Sequence, residues 1–403
     1  MINTKKIKKI LHSIGESLYN LNWHNEDYGL LSGYFGSALF YAYYYKLTDQ
    51  KKYLHRMNCI IEKTMNALAE KKLLLSHCSG VSGIAWAIQH LIKMDLIEQH
   101  TTENIFEEAD KILADYMLHE LSKRRYDFLH EGLGVMLYFL DKLPDAKAEL
   151  YLKDAIAKLE TAVVTTTSGK TWRDYSTSRR IRKCSATYNL GLSHGVPAIL
   201  SILSVLHEKK IAPNKTLILV ENGVQWLLST KNNADDKFVS LYPTAVAEDN
   251  QLHEMKNSRL GWCYGDLSVA VALHNIGTRL KNDTYKQEAL SIFDYTLKHR
   301  SKENGSILDT SLCHGSMGVS HIYRRAYSAT ADPIYLNGAN QWLQQTLNMA
   351  DDENMPIGFR YHTLNGYENN YSLLEGLTGI GLALIAVLDT HTIPDWDRCL
   401  LLS

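Results

Sequence analysis

Very little in this 403-residue chain marks a boundary. Seven prolines are too few to punctuate it, and neither Pro nor Gly marks a linker. One domain spanning residues 1–403 is therefore the simplest expectation. Six cysteines over such a length are too sparse for a disulfide framework. Charge of one sign is missing as well. The 43 Lys and Arg face 44 Asp and Glu, for a net charge of −1, which excludes a bulk pull toward nucleic acid or an anionic membrane. The longest apolar runs, such as 379–388, fall short of the roughly 20 residues that span a bilayer, so a soluble protein is expected. No secretory signal opens the chain. Met1 to Leu21 reads instead as an amphipathic helix carrying Lys5, Lys6, Lys8 and Lys9. A cytoplasmic location follows, with reduced thiols free to act as ligands. CxxC and HExxH spacings are both absent.

What is present is repetition. A Gly-x-x-Gly unit leads into an apolar run at Gly33/Gly36, Gly80/Gly83, Gly315/Gly318 and Gly376/Gly379. Degenerate copies fill the gaps at Glu131/Gly134, Gly195/Ala198 and Gly265/Ser268, making seven units. Between units the apolar positions have helical spacing, as in Leu54, Met57, Ile61, Met65 and Leu68. The runs after each unit, such as Ile84, Ala87, Ile88, Leu91 and Ile92, are helical and more apolar all round. Each repeat is thus a helix pair with a greasy inner and a mixed outer member. Seven pairs bury their inner faces by closing into a ring or stacking as a solenoid, and closure into an all-α, α/α toroid is favoured. The N-terminal helix (1–21) stands outside the repeats, and the basic stretch 165–193 is an inserted loop, read either as an ordinary solvated loop or as a lid over a peptide.

If each inner helix starts at the first residue of its unit, the residues just before it share one rim. Cys263 and Cys313 stand two before their units, and His194 and His314 stand one before. Two thiolates with an imidazole suit zinc, and three protein ligands leave a coordination position open, as in catalytic sites. Asp127 lies four before its unit, and Arg259 and Tyr264 flank Cys263. Plainer readings exist for each: a buried thiol as a small hydrophobe, His194 as a structural histidine, Asp127 as a helix cap, Arg259 as an ion-pair partner. Cys78, with His77 beside it, occupies the same slot as the proposed ligands, and His130 stands one before its unit. Spacing alone does not exclude them, but Cys313 and His314 with Cys263 of the neighbouring repeat are preferred, because consecutive helix pairs of a ring touch and Cys78 would lie farther round. Cys59, Cys184 and Cys399 lack the register and read as structural.

WCYG at 262–265, CHG at 313–315, GLSHG at 191–195 and YD at 126–127, together with the seven units, resemble the lanthionine synthetase C-like family, and in particular its stand-alone lanthipeptide cyclases. The resemblance implies that Cys263, Cys313 and His314 hold one Zn2+ per chain, with His194, Asp127, Arg259 and Tyr264 around the reacting centre. It implies a peptide substrate carrying dehydroalanine or dehydrobutyrine and cysteine, whose thiol adds to the dehydro residue to close a thioether ring. A dehydratase and an exporter are the implied partners in a biosynthetic complex, through which the chain would lie peripheral to a membrane. Glu131, Ala198 and Ser268 depart from the family's glycines, and Glu131 brings a carboxylate toward Asp127. Three rival functions stand beside this one. They are addition of glutathione to dehydroamino acids, a zinc-dependent prenyltransferase subunit whose ligand pattern is not matched, and a non-catalytic peptide-binding scaffold.

Overall fold

Each apolar run after a glycine pair folds as a helix buried on nearly every side, and each segment between folds as a helix buried along one stripe. The computed structural model describes residues 3–21, 27–71, 73–98, 103–174, 187–232, 238–247, 257–350, 359–389 and 394–403. Its helices begin with α1 (Thr4–Asn20), α2 (Gly36–Thr48), α3 (Lys51–Glu70), α4 (Val81–Lys93), α5 (Glu103–Ser122), α6 (Gly132–Lys142) and α7 (Ala146–Thr161). There follow α8 (Val196–Glu208), α9 (Pro213–Ser229), α10 (Asp266–Arg279), α11 (Asp283–His299), α12 (Ser316–Thr330), α13 (Pro333–Met349) and α14 (Leu377–Leu388). Strand among the described residues is confined to three short antiparallel pairs: β1 (Val164–Thr166) with β2 (Gly169–Thr171), β3 (Thr187–Asn189) with β4 (Ala245–Ala247), and β5 (Tyr361–Thr363) with β6 (Gly366–Glu368).

The even-numbered helices are the greasy set. In α14 every residue from Leu377 to Val387 is buried, whereas α3 buries only Tyr53, Met57, Ile60, Thr64 and Ala67. Full burial of a Leu, Ile or Val side chain is worth about 1.5–3 kcal/mol, so the inner set carries most of the hydrophobic gain. The stripe of α3 is rotated about one residue from the expected Leu54, Ile61, Met65 and Leu68. Tyr53 draws it round by packing on Tyr41 (6.0 Å between ring centroids) and Tyr44 (4.4 Å) of α2.

Two compact units are present. The first, Met1–Thr101 with Ile307–Trp396, pairs α2 with α3, α12 with α13, and α14 with α1. The N-terminal helix is therefore a working outer helix. Its Ile7, Leu11, Ile14 and Leu18 are buried, and its Gly15 carbonyl accepts a hydrogen bond from the Tyr41 hydroxyl at 2.9 Å. The second unit, Thr102–Ser306 with Asp397–Ser403, pairs α6 with α7, α8 with α9, and α10 with α11. In the expected inserted loop, β1 and β2 form a hairpin whose β2 packs on α9. The indole of buried Trp172 donates to the Leu159 carbonyl at 2.9 Å. The basic centre of that stretch, residues 175–186, and Cys184 within it lie outside the described residues.

The first residue of the unit is the N-cap in six of seven copies, Gly80, Glu131, Gly195, Gly265, Gly315 and Gly376. In the first copy the helix starts later, at Gly36 after Phe35. The loop before each helix is a closed turn. The N–H groups of Glu131, Gly195, Gly315 and Gly376 each donate to the carbonyl four residues back, at 2.8–3.1 Å. An Asx turn opens several of these loops: the side-chain oxygens of Asp27, Asn189, Asp309 and Asn370, each six before its unit, accept from the N–H two residues on. A Cβ at Gly33, Gly195, Gly315 or Gly376 would stand 2.4–2.6 Å from that same side chain. In the α6 loop the Asx residue is Asp127, only four before its unit. The φ of −130 at position 131 is ordinary for any residue, and glutamate is accommodated. Gly265 differs again, with φ +82 and ψ −155, a conformation open to glycine and costly for other residues.

Candidate functional site

The closed turn decides which side chain reaches the surface. In all seven loops the residue one before the unit is partly or wholly exposed, while its neighbours on both sides are buried. These residues are Ser32, Ser79, His314 and Glu375 in the first unit, and His130, His194 and Tyr264 in the second. The residue two before is buried in every copy: Leu31, Cys78, Leu129, Ser193, Cys263, Cys313 and Leu374. In the first unit its backbone links loop to loop. Cys313 N–H donates to Leu374, Leu374 N–H to Leu31, and Leu31 N–H to Cys78, at 2.9–3.0 Å.

In the second unit the side chains before α6, α8 and α10 form one cluster. The buried Asp127 carboxylate uses Oδ1 to accept from the N–H groups of Leu129 and His130, at 2.9 and 3.0 Å. Its Oδ2 meets His194 Nδ1 at 2.6 Å. With the carboxylate as acceptor, Nδ1 carries the proton. Burial pushes the Asp127 carboxyl up, but His194, then His130 and its backbone N–H, outweigh that and hold it below the usual range. Asp127 is an ionised orienter. Glu131 does not compete with it, because its Oε2 accepts from the Asp127 backbone N–H at 3.2 Å. The His194 ring lies between His130 and Tyr264, each 5.8 Å away by centroid. Burial of part of its ring lowers the pKa of His130, against the pull of Asp127.

Cys263 is tied into the same cluster. Its carbonyl accepts from Ser193 Oγ at 3.0 Å, and a Cβ on Gly191 would stand 2.2 Å from that carbonyl oxygen. Ser268, where a second glycine was expected, uses its hydroxyl to accept from Leu192 N–H at 2.7 Å. The substitution thus binds the two loops together. Trp262 is buried and donates to the Leu400 carbonyl at 2.7 Å. Arg300 closes the base of the Cys263 loop. It meets Asp266 Oδ2 at 2.5 Å and the Ser258 carbonyl at 2.7 Å, one group at each end of SRLGWCYGD. Arg259 is exposed.

In the first unit, Cys313 is buried, and the ring of His314 packs 5.7 Å from Tyr361 on β5. Tyr361 donates its hydroxyl to Glu375 at 2.8 Å, and burial followed by Glu375 raises its pKa. Asp309 Oδ2 accepts from His362 N–H at 3.1 Å and lies 3.8 Å from His314 Nε2. Glu375 and Tyr361 were not foreseen. Glu375 occupies the same slot as His194 and His314 and was findable by register, whereas Tyr361 sits on a hairpin that no repeat predicts.

Among the described residues, two groups of three could hold a metal ion: Cys263, Cys313 and His314, and Asp127, His130 and His194, each with its ligand atoms within 4.8 Å of one another. The first group fits zinc. Neither cysteine is in a disulfide, thiolate and imidazole are donors zinc favours, and sulfurs about 2.3 Å from a tetrahedral ion stand about 3.8 Å apart. Cys78 joins neither group, and burial pushes its thiol up to about 12.

The model of the "Lanthionine synthetase C-like protein" family matches residues 24–401. The chain belongs to the lanthionine synthetase C-like family. A structure described as "Nisin cyclase" superposes with a TM-score of 0.77 at 19% identity, covering 99% of this chain and 97% of that one. A sugar epimerase from a ruminal bacterium gives a looser likeness, with a TM-score of 0.46 at 10% identity over 98% of this chain and 100% of that one. The fold of this family member is the expected all-α, α/α toroid. No helix among the described residues is long and apolar enough to cross a membrane.

Proposed function

We propose that this family member is a zinc-dependent lanthipeptide cyclase. The observation that carries the reading is the grouping of two thiols outside any disulfide and an imidazole, Cys263, Cys313 and His314, with ligand atoms within 4.8 Å of one another. Three protein ligands leave one position for a substrate cysteine. A bound zinc would supply one thing, a thiol pKa lowered from ~8.5 so that the cysteine is a thiolate near neutral pH.

The chain's own groups do the rest. The substrate sulfur bonds to the β-carbon of a dehydroalanine or dehydrobutyrine, and the π electrons of the double bond move toward the α-carbon and its carbonyl oxygen. Tyr264, beside Cys263, and Arg259, exposed on the same loop, are the donors for that developing charge. His194 delivers the proton that saturates the α-carbon. Its ring tumbles little, because Asp127 holds Nδ1 and His130 and Tyr264 flank the faces. Asp127 is a positioning residue, keeping the imidazole in one tautomer and one orientation. The substrate is a dehydrated precursor peptide, and a dehydratase and an exporter are the partners this reading implies.

Two variants test it. Cys313→Ala should lose zinc by metal analysis, and undiminished zinc refutes the ligand set. His194→Asn should keep its zinc while cyclisation of a dehydrated peptide, followed by thiol alkylation and mass spectrometry, falls by about 10²–10⁴-fold. Zinc loss in that variant would make His194 a ligand and close the site.

A further inference from the structure

The second three-residue group has no part in holding the proposed zinc. Asp127, His130 and His194 bring one carboxylate oxygen and two imidazole nitrogens within 4.8 Å of one another. The carboxylate is already ionised and turned inward, with its side chain 1% exposed. His130 and His194 stack at an interplanar angle of 23°, and both sit in the loop slot that reaches the surface. An ion can therefore arrive from solvent. Imidazole and carboxylate together suit first-row divalent metals.

We propose that Asp127, His130 and His194 form a second divalent-metal site, weaker than the thiolate site, whose occupation takes the place of the proton shared between Asp127 and His194. The chemistry balances as an exchange. One divalent ion binds, the proton between Nδ1 and Oδ2 goes to water, and nothing is oxidised or reduced. At 2.6 Å Nδ1 and Oδ2 stand closer than the roughly 3.4 Å that two donors about 2.0–2.2 Å from a tetrahedral ion require, so His194 must draw back from Asp127 as His130 turns its ring. The site lacks thiolate, and it breaks a charge-assisted hydrogen bond to form. It should fill only when metal is in excess. If His194 is the acid, as the reading above has it, that excess would inhibit, and free metal would set the rate of ring closure. This consequence rests on the proposed function; the site itself does not.

Cobalt(II) separates the two sites. Cobalt bound by cysteine gives an intense thiolate charge-transfer band, whereas a carboxylate–imidazole site gives only weak visible bands. The zinc-loaded, full-length protein titrated with cobalt chloride should develop saturable visible bands of one equivalent without the charge-transfer band. His130→Ala and His130→Asn should lose that signal while retaining their zinc and their helical circular dichroism. Absence of a saturable signal in the parent protein, or its persistence in both His130 variants, would overturn the site. Cys313→Ala keeps the readouts apart. If its zinc is undiminished the thiolate site is wrong, and the cobalt signal still decides this one.

Discussion

Replacing Arg300 by methionine tests how the Cys263 loop is held. The guanidinium and the Asp266 carboxylate are both fully buried, and Arg300 also donates to the Ser258 carbonyl. Removing it leaves Asp266 charged in the interior, with backbone N–H groups, that of Tyr242 at 2.8 Å and that of Leu241, in place of a cation. Breaking one side of a buried ion pair costs about 3–5 kcal/mol. An unfolding entropy of about 2.1 cal/mol/K per residue amounts to roughly 0.85 kcal/mol/K for a chain of this length, so Tm should drop by about 4–6 °C in cooperative unfolding. Burial already raises the Asp266 pKa, and Arg300 offsets that only in part. In the variant the carboxyl would rise further. A carboxyl whose folded pKa is raised keeps its proton longer in the native state than in the unfolded chain. The penalty is therefore largest at neutral pH and shrinks as pH falls toward the unfolded value of about 3.9. Thermal unfolding by circular dichroism between pH 4.5 and 7.5, with zinc content measured alongside, is the assay. A variant as stable as the parent at neutral pH, or a penalty independent of pH, would refute the clamp. The double change Arg300→Met, Asp266→Leu should recover part of the loss.

Three further outcomes are expected. A Cβ at Gly379 would stand 1.9 Å from the Leu373 carbonyl oxygen, so Gly379→Ala should lower stability by roughly 1–3 kcal/mol through overpacking; unchanged denaturant unfolding would show that the loop yields freely. Cys78, its thiol pushed up to about 12 by burial, should resist alkylation in the native protein at pH 8 and react once unfolded. Peptide mapping that finds it labelled as fast as Cys59 would contradict this. Asp127→Asn should retain zinc but slow cyclisation, because an amide can stabilise the wrong His194 tautomer; an undiminished rate would remove Asp127 from the mechanism.

Periodicity alone determined the helix pairs, because a helix buried all round must be apolar all round and an outer helix need be apolar only along a stripe. The repeat register determined which residues share a loop position, Cys263 and Cys313 two before their units and His194 and His314 one before. Applied without exception, it would also have marked Glu375. Spacing alone could not choose between Cys78 and Cys313, since both fill the same buried slot, and it could not explain Glu131, in whose loop Asp127 opens the Asx turn two residues later than in the others. Tyr361, the Arg300 clamp and the sandwich of His194 between His130 and Tyr264 were decided only in three dimensions. The Arg300–Asp266 pair joins residues 34 apart in the chain, and the contacts of Tyr361 with His314 and of His194 with its two flanking rings reach farther still; no local pattern of apolar or turn residues encodes which distant side chain will meet which.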